Sequence, residues 1–138
     1  MTKNDPVSFK VLLVEDDEGF RRSVAGLLNS KFPALLLGEA SNGNEAMEKV
    51  ESFSPNLVFM DIRLPGQNGL EITKRIMTLH PDINVIFLTS HDYPEYREAA
   101  RACGAYCFLT KGSATSQQIQ DGVEELWTKW KATRAQSA

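Results

Sequence analysis

Carboxylates, a hydroxyl and a lysine stand directly after short apolar runs in this chain. Val11-Leu12-Leu13-Val14 ends in Glu15-Asp16-Asp17, and Leu57-Val58-Phe59-Met60 ends in Asp61. The run that finishes at Leu88 ends in Thr89, and the run that finishes at Leu109 ends in Thr110-Lys111. Clustered carboxylates repel one another and are costly unless cations sit among them. Lys111 supplies one positive charge. A hard, oxygen-seeking ion such as Mg2+ supplies more, and it usually takes one or two carboxylates, several waters and phosphate oxygens. A carboxylate between such cations can attack phosphorus, because they neutralise the charge on the transferring group. The product would be an acyl phosphate on Asp61, with the Thr89 hydroxyl and the Lys111 ammonium available to its oxygens.

Each residue alone has a plainer reading. Asp17 reads as a helix cap, Asp61 as the start of a turn, Thr89 as a strand-end hydroxyl and Lys111 as a solvated surface charge. Their joint occurrence, each at the same end of its apolar run, points to chemistry instead.

The elements that must bring them together are visible as an alternation. Near-continuous apolar runs at residues 11–14, 35–37, 57–60, 83–88 and 106–109 read as strands buried on both faces, hence as a parallel sheet. Between them lie stretches with helical spacing, such as Phe20, Val24, Leu27 and Leu28, then Ala46, Met47 and Val50, then Leu70, Ile72, Ile76, Met77 and Leu79. Pro94 suits the first turn of a fourth helix, which runs to Gly104. Ile119, Val123, Leu126, Trp127 and Trp130 form a fifth helix, and residues 132–138 are expected to fray. Asn42-Gly43 reads as a turn and residues 65–69 as a loop. The result is a single α/β unit of five strand–helix repeats, (βα)5, with helices on both faces of a parallel sheet. Ligands of such sheets bind outside the carboxyl ends of the strands, where the residues named above collect.

Composition narrows the class further. The chain has 138 residues, room for one domain. Its 18 acidic and 15 basic residues leave a net charge of −3, without the concentrated basic surface of a nucleic-acid binder. No segment has the form of a signal peptide or a membrane span. Cys103 and Cys107 read as two small apolar residues with reduced thiols, and the expected location is the cytoplasm.

Taken together, Val11-Leu-Leu-Val-Glu-Asp-Asp17, Met60-Asp-Ile-Arg-Leu-Pro-Gly66, Leu88-Thr-Ser90 and Phe108-Leu-Thr-Lys111 resemble the receiver domain of two-component response regulators. The resemblance covers residues 9–131, leaving residues 1–8 as an N-terminal extension and 132–138 as a tail. It implies a flavodoxin-like sheet of strand order 2-1-3-4-5 and assigns roles by position. Asp61 matches the phosphate acceptor. Glu15-Asp16 matches the acidic pair that holds Mg2+, Asp16 directly and Glu15 through water, and the main-chain carbonyl of Arg63 completes the metal site. The competing register, Asp16-Asp17, stays open. Thr89 matches the switch hydroxyl, Phe108 the switch aromatic, and Lys111 the lysine that pairs with the phosphoryl group. Such a domain catalyses only its own phosphorylation and dephosphorylation. Its implied partners are a histidine kinase or a histidine phosphotransfer protein and, through the face of the fourth helix, fifth strand and fifth helix, a downstream protein. It implies no nucleic-acid contact by this chain and no membrane, and leaves room for a phosphorylation-dependent homodimer.

Several positions vary within that pattern. Gly112 stands where many receivers have proline. Leu64-Pro65-Gly66 and Lys111-Gly112-Ser113 look like the subfamily often joined to a helix-turn-helix DNA-binding domain. No such domain occurs in these residues, so the expectation is a stand-alone receiver or a portion of a longer regulator. Arg63, two residues after Asp61, and His91, two after Thr89, are expected to tune phosphoryl lifetime by obstructing water. Tyr93, Tyr96 and Arg97 are candidates for the partner face. Of Trp127 and Trp130, one is expected to pack inward and one to lie partly out. A haloacid-dehalogenase-type phosphatase is disfavoured because Arg63 stands where its second aspartate is needed. A flavodoxin is disfavoured because Glu15-Asp16-Asp17 would repel the flavin phosphate. A receiver-like scaffold that binds without phosphorylation is the remaining alternative.

Overall fold

A computed structural model describes residues 8–113 and 115–137, with side chains through residue 135. Five parallel strands make one sheet: β1 (Lys10–Val14), β2 (Leu36–Ala40), β3 (Leu57–Met60), β4 (Asn84–Thr89) and β5 (Cys107–Thr110), in the order β2-β1-β3-β4-β5. Five helices alternate with them: α1 (Glu18–Lys31), α2 (Gly43–Phe53), α3 (Gly69–Leu79), α4 (Pro94–Ala102) and α5 (Ser116–Ser137). This is the flavodoxin-like (βα)5 arrangement expected from the sequence.

The strand sequences explain the layering. Every residue of β3 is buried, and alternate residues point to opposite faces. Leu12, Val14, Val58, Met60, Val85 and Phe87 join one core, packed by α2 and α3 with Ala100 of α4. Val11, Leu13, Leu57, Phe59, Ile86 and Leu88 join the other, packed by α1 and α5. The central residues of strands buried on both faces meet no water, which is why they read as unbroken apolar runs.

Register carries each run to the same rim. Val14 pairs with Ala40 and Met60, Met60 with Phe87, and Thr89 with Thr110. Glu15, Asp61, Thr89 and Lys111 therefore lie at or just beyond one edge of the sheet.

Four local expectations differ from the structure. The second strand runs from Leu36 to Ala40, because an edge strand needs no apolar run and includes Gly38 and Glu39. Asn42 is the N-cap of α2, its side chain accepting from the Glu45 N–H at 2.9 Å, so it opens a helix rather than a free turn. Residues 63–68 form a small antiparallel hairpin, Arg63–Leu64 against Gln67–Asn68, around a Pro65-Gly66 turn with Gly66 at φ 69°. Helix α5 continues to Ser137 where fraying was expected from residue 132; Lys131, Ala132, Arg134 and Ala135 are good helix formers with no Gly or Pro among them.

Candidate functional site

The acidic end of β1 is fixed by α1. Asp17 is its N-cap, accepting the Phe20 N–H at 3.1 Å, while its own N–H donates to Glu15 Oε2 at 3.0 Å. The Arg21 guanidinium reaches back to the Glu15 carbonyl oxygen at 2.7 Å and to Glu39 Oε1 at 2.7 Å. Asp17 is thus occupied as a cap, and the acids left to face the rim are Glu15 and Asp16. Carboxylate oxygens of Glu15, Asp16 and Asp61 lie within 4.8 Å of one another.

Asp61 is held from behind by close packing. Its N–H donates to the Val14 carbonyl at 3.2 Å. The Gly69 N–H donates to the Ile62 carbonyl at 2.6 Å, and a Cβ at Gly69 would fall 2.0 Å from the Asp61 carbonyl oxygen. Only glycine allows α3 to start that close to the Asp61 backbone. Asn68 caps the same helix, accepting the Leu70 N–H at 2.7 Å.

Lys111 bridges the acids. Its Nζ lies 2.5 Å from Glu15 Oε1 and 3.1 Å from Asp61 Oδ2. Both carboxylates are buried, and the lysine side chain is 16% exposed. Burial pushes the Glu15 carboxyl above its usual range, against the hydrogen bond from Lys111. Burial also pulls the Lys111 ammonium down, but the hydrogen bond to Glu15 and the charge of Asp61 outweigh it and hold the pKa above its usual value. The other oxygen of Asp61, Oδ1, is buried with no hydrogen-bond partner among the described residues. A buried anionic oxygen without a donor is costly. An orphaned oxygen beside two more carboxylates suits a hard cation, and oxygen-only donors are the set Mg2+ takes.

Thr89 is fully buried at the end of β4, where its Oγ1 accepts the His91 N–H at 3.2 Å and its carbonyl accepts the Lys111 N–H at 2.8 Å. Phe108 is half-buried on β5, 6.3 Å from the Phe87 ring. The Arg97 guanidinium lies over the Phe108 ring, 4.7 Å from its centroid, and pairs with Asp92 at 2.5 Å.

Arg63 and His91 stand at the rim, but their contacts run to α4 and its approach. Arg63 Nη2 donates to the Tyr96 hydroxyl at 3.3 Å, and the His91 ring lies 6.2 Å from that of Tyr93. Trp127 and Trp130 are both half-buried and both pack on Phe9, at 5.6 and 5.5 Å, so neither is singled out as the exposed one. Cys103 and Cys107 belong to opposite faces of the sheet and are free thiols. Among the described residues no helix is long and apolar enough to cross a membrane.

Sequence reading missed two positioning residues. Gly69 looked like the end of a loop; its nearness to Asp61 is a tertiary contact with no local signature. Arg21 carried no signal of its own in the sequence; its hold on the Glu15 carbonyl is likewise a tertiary contact.

The family model described as "Response regulator receiver domain" matches residues 11–123. Among curated proteins, the chain is 31% identical over 111 residues to the response regulator GacA of Pseudomonas syringae pv. syringae, covering 80% of this chain and 52% of that protein. It is 34% identical over 115 residues to the DNA-binding transcriptional activator DevR/DosR of Mycobacterium tuberculosis, covering 81% and 53%. The chain thus spans about half the length of these relatives. The signal receiver domain of the putative response regulator NarL from Mycobacterium tuberculosis superposes with a TM-score of 0.79 at 27% identity, covering 89% of this chain and 98% of that one. A receiver domain protein from Methanospirillum hungatei gives 0.83 at 22% identity over 92% and 99%, a likeness of fold.

Proposed function

The chain belongs to the receiver-domain family of two-component response regulators, and from that premise we propose that Asp61 accepts the phosphoryl group and that Lys111 and Thr89 hold it. The observation that carries this reading is Asp61 itself. One of its oxygens is bound by the Lys111 ammonium, and the other is buried without a partner beside the carboxylates of Glu15 and Asp16.

In this reading the Asp61 carboxylate attacks the phosphorus of a phosphohistidine. The phosphorus–nitrogen bond breaks, and its electron pair leaves on the imidazole nitrogen. Lys111 stays against the acceptor and offsets the charge that arrives with the phosphoryl oxygens. Asp16 and Asp61 would hold Mg2+ directly, with Glu15 through water and the Arg63 carbonyl as a further ligand. Bound Mg2+ would supply a second positive centre for the transferring oxygens. Thr89 would turn its hydroxyl from the His91 N–H toward the new phosphoryl oxygens, and Phe108 would change its burial in step. Such a two-state shift needs a differential of a few kcal/mol.

Arg63 and His91 are the residues this reading makes responsible for phosphoryl lifetime. Their present contacts with Tyr96 and Tyr93 would link that lifetime to the position of α4. The donor is a histidine kinase or a histidine phosphotransfer protein, met in the cytoplasm, where this chain is taken to reside. The output is a protein partner, met through α4, β5 and α5, with Tyr93, Tyr96 and Arg97 on that face, or a second copy of the chain after phosphorylation. The receiver unit is taken as residues 9–131. Relatives of about twice this length include one named as a DNA-binding activator, so a receiver acting within a longer regulator is the second reading.

Intact mass after incubation with acetyl phosphate tests the proposal. One added phosphoryl group is expected with Mg2+, none with chelator and none in Asp61→Asn. A wild-type chain that stays unmodified with both acetyl phosphate and a kinase donor would leave the scaffold reading in its place.

A further inference from the structure

The Lys111 ammonium has a third neighbour besides its two carboxylates. Its Nζ lies over the Phe20 ring, 4.7 Å from the centroid. An ammonium above an aromatic face is attracted by the ring quadrupole, and more strongly where water is kept away. With the lysine side chain 16% exposed, most of that water is already excluded.

Phe20 is well placed to act as a fixed wall. Its N–H is bound by the Asp17 side chain, and the next residue, Arg21, is tied to the Glu15 carbonyl and to Glu39. The first turn of α1 is thereby clamped to the end of β1, and the ring rides on that turn. Phe20 and Lys111 also share the lining of a hollow of about 180 Å³ with Val24, Leu27, Leu88 and Ile119, between α1, β4 and α5. Lysine is a point charge on a flexible stem of four carbons. The two carboxylates hold the ammonium from one side, at 2.5 and 3.1 Å, and the Phe20 ring faces it from another, beside the hollow.

We infer that Phe20 is a positioning residue for phosphoryl transfer: its ring face holds the Lys111 ammonium against Glu15 and Asp61 and keeps it from swinging into the hollow between α1 and α5. The inference rests on the reading of Asp61 as the acceptor. Phe20 touches no reacting atom; it acts through Lys111. The π face, not the bulk, does the holding. Phe20→Leu therefore removes the ring face while keeping an apolar side chain, whereas Phe20→Tyr keeps the ring face.

The test is the rate constant for phosphorylation of the full chain by acetyl phosphate at saturating Mg2+. Phe20→Leu is expected to slow it about five- to tenfold, and Phe20→Tyr to leave it near wild type. Trifluorophenylalanine at position 20, similar in size but with a weakened quadrupole, is expected to fall between the two. In a Lys111→Met background, Phe20→Leu is expected to cause no further loss. Urea midpoints accompany each rate, so that a variant that has lost its fold is recognised, and the fluorinated residue supplies the comparison if leucine unsettles α1. A Phe20→Leu or fluorinated chain that reacts at the wild-type rate overturns the inference alone. So does an equal slowing with and without Lys111. A wild-type chain that gains no phosphoryl group overturns the acceptor reading together with this inference.

Discussion

Two cations in this molecule lie over phenylalanine rings at the same distance. Lys111 stands 4.7 Å over Phe20 at the carboxyl rim, and Arg97 stands 4.7 Å over Phe108 on the α4–β5 face. Each is also paired with a carboxylate at 2.5 Å. The contacts are alike; the surroundings are not. Lys111 is 16% exposed and its carboxylate partners are 7% exposed, whereas the Arg97 and Asp92 side chains are 48% and 43% exposed. Water screens the second pair and barely reaches the first, so an identical geometry is firm in one place and easily rearranged in the other.

The helices repeat that contrast. Helix α3, which starts against the Asp61 carbonyl, buries Gly69, Leu70, Ile72, Thr73 and Ile76. Helix α4 buries only Ala100, and its N-cap residue, Tyr93, makes no side-chain capping bond. The proposed function asks for a rigid acceptor and a surface that changes at small cost. The packing is dense around α3 and the inner strands and sparse around α4 and the edge strand β5, as that proposal requires.

The sharpest way to break the comparison is to remove each cation in turn. Lys111→Met leaves the buried Glu15 and Asp61 carboxylates facing each other without a counter-charge, and is expected to cost about 2–4 kcal/mol in urea unfolding with chelator present. Mg2+ is expected to return part of that loss. Arg97→Met is expected to leave the urea midpoint near wild type. Equal effects of the two substitutions would show that burial does not separate the two contacts.

Gly69→Ala tests the rigid side by sterics alone. The added methyl meets the Asp61 carbonyl oxygen and must displace the acceptor loop, with an expected cost of about 1–3 kcal/mol and a slower phosphorylation rate. Gly26→Ala, where the new Cβ meets nothing within 4 Å, is the control and should not lose stability.

Hydrogen exchange sharpens the contrast further. Amides of α4 are expected to exchange well before those of β1, β3 and β4, because little buried surface anchors that helix. Uniform protection across both regions would contradict the division.

The smallest expected effect concerns the thiols. Burial pushes both Cys103 and Cys107 above the usual thiol range, so alkylation by iodoacetamide at neutral pH should be slow for both and speed up in urea. Fast labelling of either in the folded chain would show that α4 and β5 open more than their packing suggests.

Much of this division was written in the chain before folding. Strands buried on both faces announce themselves as apolar runs, and the residue after each run lands on the functional rim because parallel register carries it there. Glu15, Asp61, Thr89 and Lys111 were legible for that reason. Edge strand β2 was displaced in the reading because half-exposed strands carry Gly38 and Glu39 without penalty. The hairpin at residues 63–68 is too short to show a period. The contacts of Phe20 with Lys111, Gly69 with Asp61 and Arg97 with Phe108 join distant segments, and no local pattern encodes them. Asp17 was legible in both its roles, as cap and as candidate ligand, and only geometry separates them: a carboxylate already accepting the Phe20 N–H is engaged with its helix.

The most direct test of the central claim is to locate the modified residue. The chain is phosphorylated with acetyl phosphate and Mg2+, reduced with borohydride to convert an aspartyl phosphate to homoserine, and read by tandem mass spectrometry. The account predicts homoserine at position 61 and nowhere else, with none formed in Asp61→Asn. Homoserine at Asp16 or Asp17 instead, or reduction at no residue of a chain that has gained mass, would contradict it.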